Sequence, residues 1–329
     1  MNETYIVTIP FGTIDKQCTH LGNATKDAVK DLKTAYSNKD IDVVKQKSVE
    51  LHVSGTKHFK KWVEVALTTY FTSVHRSVPH CIGIINSFYK RYQRIDDDYM
   101  MTNDQMIRNF VFYLNWIITH SDRKDGSDKL MQLLKMEKDD YNLTLLRHNN
   151  FLVSRNLDAI NPFLIAGDPK ELILPLSEIS VLLSDPATDK REFKLCYWAS
   201  WIIHYEKLYH KGSLTVPSRQ TTELESAIGS SAMAKVATDW IVIVFHLFIH
   251  YTKTYPNDVK RAIIQLIELF TTIYKGKKKK LEYILYVTMI RWILRPNGYP
   301  SIDSELLSNA NAHASVCNYA YSGITIIDP

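Results

Sequence analysis

The chain has 329 residues, 45% of them hydrophobic and 23% charged, so it can bury a core without cross-links. Only 11 glycines and 11 prolines interrupt it, too few for the frequent turns of an all-β architecture or for a disordered chain. The net charge of +5 is uneven: residues 51–100 hold 7 Lys/Arg against 4 Asp/Glu and residues 251–300 hold 10 against 3, leaving the remainder at −5.

The opening "MNETYIVTIPFGTIDK" has neither the basic start nor the long apolar core of a signal peptide. Its alternating, β-branched "TYIVTIP" predicts an extended segment, matched at the other end by "GITIIDP". The two ends pair with each other or lie as arms on a neighbouring subunit, which makes a homo-oligomer an expected partner state. Helices are predicted over residues 25–36, 55–73 and 79–94. Thr102 with Gln105 reads as a capping box that opens a helix running to about Ser121. Its stripe of Phe110, Tyr113, Leu114, Ile117 and Ile118 has the spacing of one buried face.

Residues 149–175 mix Asn, Pro and Gly with short apolar runs and suggest a soft boundary between lobes 1–150 and 151–329. Asp185 as N-cap and Pro186 at the first helical position predict a further helix, stopped by Gly212. Its face is Leu195, Trp198, Ala199, Ile202 and Ile203. Helices over 231–253, 257–274 and 278–294 follow, broken by "GKKKK" and "RPNGYP". The reading is all-α: a multi-helix bundle of two lobes with short extended segments at the termini. The longest apolar run, "WIVIVFHLFI" (240–249), is about half the roughly 20 residues a bilayer needs, so no membrane span is expected.

"NWIITH" (115–120) returns as "SWIIHY" (200–205), and Trp292-Ile293-Leu294 is a looser third copy. The spacings of 85 and 91 residues exceed those of recognised helical repeats, and the flanks do not align. The echo therefore favours shared packing over a repeat.

Nucleotide-binding and hydrolase signatures are absent, and with glycine so sparse no backbone cradle for phosphate is expected, nor any other cofactor. Cys18, Cys81, Cys196 and Cys317 lie far apart, which favours free thiols in a reducing compartment. "HLFIH" sets His246 and His250 one turn apart, but among apolar neighbours and with no carboxylate between them, so no metal site is assigned. His75, His80 and Cys81 form a loose cluster without a fourth ligand. Asp96, Asp97 and Asp98 read as a solvated cap rather than a Mg²⁺ site. "SDRKDGSD" (121–128) places Arg123 where a calcium loop needs a ligand, so it reads as a connection. For an enzyme the least improbable residues are His120 with Asp122, and His204 with Glu206 or His210. A non-enzymatic protein is expected.

Three segments interleave cations with aromatics. "KHFKKW" carries Lys57, Lys60 and Lys61 beside Phe59 and Trp62. "YKRYQR" carries Lys90, Arg91 and Arg94 beside Tyr89 and Tyr92. "YKGKKKKLEY" carries Lys275, Lys277, Lys278, Lys279 and Lys280, followed by Arg291 and Arg295. Several cations on one surface suit a phosphate backbone, and neighbouring rings suit unpaired bases. The expected partner is therefore RNA or single-stranded DNA, held as in a nucleoprotein. The alternative is a structural or scaffold protein acting by protein–protein contacts, to which aromatic-rich helices and extended ends are equally suited.

The helix "YWASWIIHYEKLYHKG" and its counterpart at 110–120 resemble uncharacterised all-helical proteins encoded by large DNA viruses of eukaryotes. That resemblance implies a viral, intracellular setting, in cytoplasm, nucleus or virion, and assigns no functional residue.

Overall fold

The computed structural model describes residues 17–73, 78–121, 157–209, 239–274, 280–294, 304–316 and 320–321, with scattered positions between 224 and 236. Among the described residues it has 13 α-helices and no strand, so the chain is all-α. "TYIVTIP" and "GITIIDP" lie outside the described residues. In chain order the helices are α1 (Thr25–Asn38), α2 (Ile41–Val53), α3 (Thr56–Ser73), α4 (Val78–Tyr92), α5 (Asp98–Asn103) and α6 (Gln105–His120). They continue with α7 (Leu157–Ile160), α8 (Ile173–Ser184), α9 (Arg191–Tyr209), α10 (Ile241–Tyr251), α11 (Asn257–Ile273), α12 (Lys280–Leu294) and α13 (Ser304–Val316). Two compact units result, Met1–Asp125 with Pro300–Pro329, and Gly126–Tyr299.

In the first unit, α6 is the central helix: α2, α3, α4, α5 and α13 all pack on it. Every residue from Ile107 to Thr119 except Asn109 and Trp116 is buried. The helix starts later than its expected cap. Asp104, not Thr102, takes the N-cap, accepting the Ile107 amide at 3.0 Å, while Thr102 is buried. Asp97 caps α5 through the Met100 amide at 2.7 Å, and Asp98 accepts the Thr56 amide at 2.6 Å at the start of α3. Two of the three aspartates are thus used as caps.

A short polar network ties this core together. The Tyr36 hydroxyl donates to Asn115 Oδ1 at 2.5 Å, and Asn115 Nδ2 donates to Ser48 Oγ at 2.9 Å. Ser48 Oγ also accepts the Trp62 indole N–H at 2.8 Å. Four helices, α1, α2, α3 and α6, meet at one fully buried asparagine. Helix α2 escapes sequence detection because its buried run, Ser48 to Val53, includes Ser48, Glu50 and His52 and so breaks the apolar stripe. Its Glu50 receives Thr19 Oγ1 (2.6 Å), Asn23 Nδ2 (2.9 Å) and Lys47 Nζ (3.0 Å), pinning the segment before α1.

In the second unit, α9 packs against α8, α10 and α12, and α11 pairs with α12. Leu195, Trp198, Ala199, Ile202 and Ile203 are buried as expected, but so are Tyr197, Trp201 and Tyr205. The helix is therefore enclosed on more than one face. It opens at Arg191 rather than Pro186, because Asp185 folds back to hold the Ala187 amide and the Thr188 hydroxyl, both at 2.9 Å. Arg191 then donates to the carbonyls of Leu182 and Leu183, covering the C-terminal end of α8. Among the described residues, no helix is long and apolar enough to cross a membrane.

Candidate functional site

Among the described residues, an apolar groove of about 380 Å³ lies in the first unit, between α4, α6 and α13. Helix α4 contributes Gly83, Ile84, Ser87 and Phe88, and α6 contributes Met106, Ile107, Phe110 and Tyr113. Rings of Phe88 and Phe110 stack at 3.8 Å and make its floor. The third wall, Asn311, Ala314 and Ser315 of α13, is made of short side chains, which is why space is left there. Ile84 is 41% and Met106 55% exposed at the groove, unusual for large apolar residues with a core beside them. At one end Arg91 and Asp104 form an ion pair at 2.7 Å. The groove was not anticipated from sequence. Its only signal was the apolar Ile84 and Met106 on otherwise polar helix faces, and α13 carries too few large apolar residues to declare itself a wall.

The basic residues divide between the two units. Lys57, Lys60 and Lys61 are exposed on α3, with Lys61 3.2 Å from Glu64. Lys90 and Arg91 are exposed on α4 and Arg94 just beyond it. The aromatics of the first segment are core. Phe59 and Trp62 are fully buried and stack on each other at 5.2 Å. Tyr92 is half-buried, stacked on Phe88 at 5.9 Å and set edge-on to Phe59 at 5.7 Å. Phe59 and Trp62 are thus closed to bases, while Tyr89 and Tyr92 are each only partly covered.

In the second unit Arg291 is bound to Glu192 at 2.6 Å with its side chain only 16% exposed. It is a packing residue here, held within the helix pair α9–α12. Lys275, Lys277, Lys278, Lys279 and Arg295 lie outside the described residues, as does the side chain of Lys280 at the start of α12.

Candidate catalytic groups are quieted by their surroundings. Burial pushes the Cys81 thiol up, only partly offset by Tyr113, whose hydroxyl is 3.5 Å from the sulfur. Burial also raises Cys196 far above the ordinary thiol range. The side chain of Glu206 and all of His210, the partners expected for His204, lie outside the described residues. The Nδ1–H of His204 donates to the Ser200 carbonyl at 2.8 Å, and Nε2 therefore accepts the Tyr283 hydroxyl at 2.6 Å. His120 lies flat on Trp116 at 3.7 Å, and Asp122 is outside the described residues. His250 is exposed and set edge-on to Phe163 at 5.4 Å. Among the described residues, no group of three or more His, Cys, Asp or Glu is placed to hold a metal ion. His75 and the side chain of His80 lie outside them.

No family model, no curated protein and no solved structure matches this chain.

Proposed function

We propose that this chain is an assembly subunit that works by protein–protein contact, with the groove of its first unit receiving the same surface of a second copy. The supporting observation is the juxtaposition at one place of a hole and projections of the same chemistry. Ile84 and Met106 stand out of the surface beside an apolar hollow of about 380 Å³. A twofold contact needs a self-complementary patch, and knobs adjacent to a hole satisfy that. The Arg91–Asp104 pair offers both charge signs at the rim, so a second copy meets cation with anion. A stable interface buries roughly 800 Å² per partner, an area that takes in more than one groove. The contact therefore extends over neighbouring surface, where α5 exposes Tyr99 and Met100 at 45% and 58%.

Sedimentation velocity over a hundredfold range of concentration tests this. Dimer is expected to form at micromolar concentration and to be lost in Met106→Glu and Ile84→Glu. A strict monomer throughout the range, or a dimer that tolerates both substitutions, rejects the reading.

A second reading, nucleic-acid binding, is favoured by the exposed cations that α3, α4 and the residues just beyond α4 carry in the first unit. Five exposed cations, Lys57, Lys60, Lys61, Lys90 and Arg94, predict a slope of log affinity against log salt of about −3 to −4 on single-stranded polyuridylate. Substituting Lys60 and Arg94 by alanine removes about 1.4 from that slope. Retention that does not depend on salt refutes it.

A further inference from the structure

The groove combines apolar walls with a few polar groups, the composition of a site for a small molecule. Gly83 stands midway along α4, where glycine is the poorest helix former short of proline, and it lines the groove with backbone in place of a side chain. Ala314 and Ser315 keep the α13 wall equally thin, opposite the stacked rings of Phe88 and Phe110. An apolar cavity of about 150 Å³ takes a benzene ring, so about 380 Å³ has room for roughly 15 heavy atoms.

The polar groups of the lining narrow the choice of ligand. Ser87 Oγ donates to the Gly83 carbonyl at 3.0 Å, and Ser315 Oγ donates to the Ala312 carbonyl at 2.8 Å. A hydroxyl has one proton to give, so both serines offer an incoming group lone pairs. Asn109 Oδ1 accepts the Gln105 side-chain amide at 2.6 Å, which leaves Asn109 Nδ2 to donate. Arg91, the charged residue of the lining, is engaged by Asp104 Oδ2 through Nε and Nη2, both at 2.7 Å. The two charges answer each other within the protein. Helices α4 and α6 run in opposite directions here, since Arg91 meets Asp104 at one end and Phe88 meets Phe110 further in. Ser87 and Asn109, each next to one of those rings in sequence, therefore stand at the level of the stack.

We infer that the groove binds a small uncharged amphiphile, an alkyl chain with an alcohol head, the chain against the apolar walls and the head between Ser87 and Asn109. An alcohol donates and accepts, so it satisfies the serine lone pair and the asparagine N–H together. A carboxylate only accepts, and it would set its charge against the lone pairs of Ser87 and Ser315. An ammonium would lose its water without gaining a counter-ion, because Asp104 is already held by Arg91. This binding does not rest on the assembly reading. A ligand and a second copy that use the same hollow exclude one another.

Isothermal titration calorimetry of the intact chain is the test, with 1-decanol, decanoate and decylammonium as probes that share a chain and differ in head. Decanol is expected to bind once per chain with a Kd in the tens of micromolar, on the order of what about 11 heavy atoms sustain. Decanoate and decylammonium are expected to bind at least about tenfold more weakly. Gly83→Leu improves helix propensity while adding a side chain to the groove wall, and it should weaken decanol at least about tenfold without lowering the melting temperature. Ser87→Leu, at an exposed position one turn along α4, is a second obstruction and should give the same loss. Absence of saturable heat with decanol overturns the site. So does equal affinity for the three heads, or decanol binding left whole in both variants. Sedimentation velocity on the same samples separates the two readings: a dimer that takes up no decanol rejects this site alone, and a strict monomer that binds decanol upholds it while rejecting assembly.

Discussion

Asn115 and Ser200 occupy the same slot beside the tryptophan of the two Trp-Ile-Ile helices, yet they should respond oppositely to alanine. Asn115 is fully buried and makes two hydrogen bonds, from the Tyr36 hydroxyl and to Ser48. Truncation removes both and leaves the buried Tyr36 hydroxyl with only Ser48 and Trp62 nearby, a penalty of about 1–3 kcal/mol. The space vacated by the amide adds about 1 kcal/mol because a close-packed core relaxes only in part. Ser48 keeps its bond from Trp62, so the loss stops there. The total is about 3 kcal/mol, or roughly 8 °C in melting temperature for a unit of this size. Ser200 is also fully buried, but among the described residues its hydroxyl meets no hydrogen-bond partner. Ser200→Ala removes an unsatisfied polar group and should be neutral or stabilising, by at most about 1 kcal/mol. Urea denaturation followed by circular dichroism measures both, with the m-value checking that the same transition is observed. Asn115→Ala within 1 kcal/mol of the parent, or Ser200→Ala losing more than that, would refute this account of the slot. Tyr36→Phe in the Asn115→Ala background should then cost little further, since their shared bond is already gone.

Other expectations concern charge and backbone. Burial alone would raise the Glu50 carboxyl, but Thr19, Asn23 and Lys47 together hold it below the usual range. Its stabilisation is therefore full above the unfolded carboxyl value and fades as pH falls through the folded one. Denaturation curves should show the penalty of E50Q shrinking over that acidic window, and a penalty independent of pH contradicts it. Arg291→Gln leaves Glu192 without its partner in a mostly buried setting and should cost about 1–3 kcal/mol, without changing the salt slope on polyuridylate. Gly55 has φ of 98°, and a Cβ there would lie 3.1 Å from the Asp98 carboxyl group that caps α3. Gly55→Ala should cost about 1–2 kcal/mol in thermal melting, and a neutral effect would show that the turn adapts.

Much of this architecture could be read from the chain alone. Helices α1, α3, α4, α6, α11 and α12 were expected within a few residues of where they lie, since periodic apolar stripes and caps are local signals. The buried faces of α6 and α9 were legible for the same reason. Local signals also misled: the rings beside the cations of "KHFKKW" are core. A helix turns by about 100° per residue, so the neighbours of an exposed lysine face the core. Phe59 and Trp62 are where the hydrophobic stripe puts them, with Lys57, Lys60 and Lys61 on the opposite side.

What the sequence by itself determined was the all-α class and which helix faces are apolar, because both follow from spacing along the chain. Only the tertiary structure decided which helix meets which, and everything with a candidate role depends on that. Gly83 and Ile84, Met106 and Phe110, and Ala314 and Ser315 become a groove only when helices from both ends of the sequence meet on α6. His52 and Tyr321, 269 residues apart, become a hydrogen-bonded pair by the same closure. Asn115 and Ser200 look alike in sequence and differ in the fold because Tyr36 and Ser48 reach only one of them. Contacts of that kind carry no periodic signature, since they are set by the packing of distant segments rather than by the local geometry of the chain.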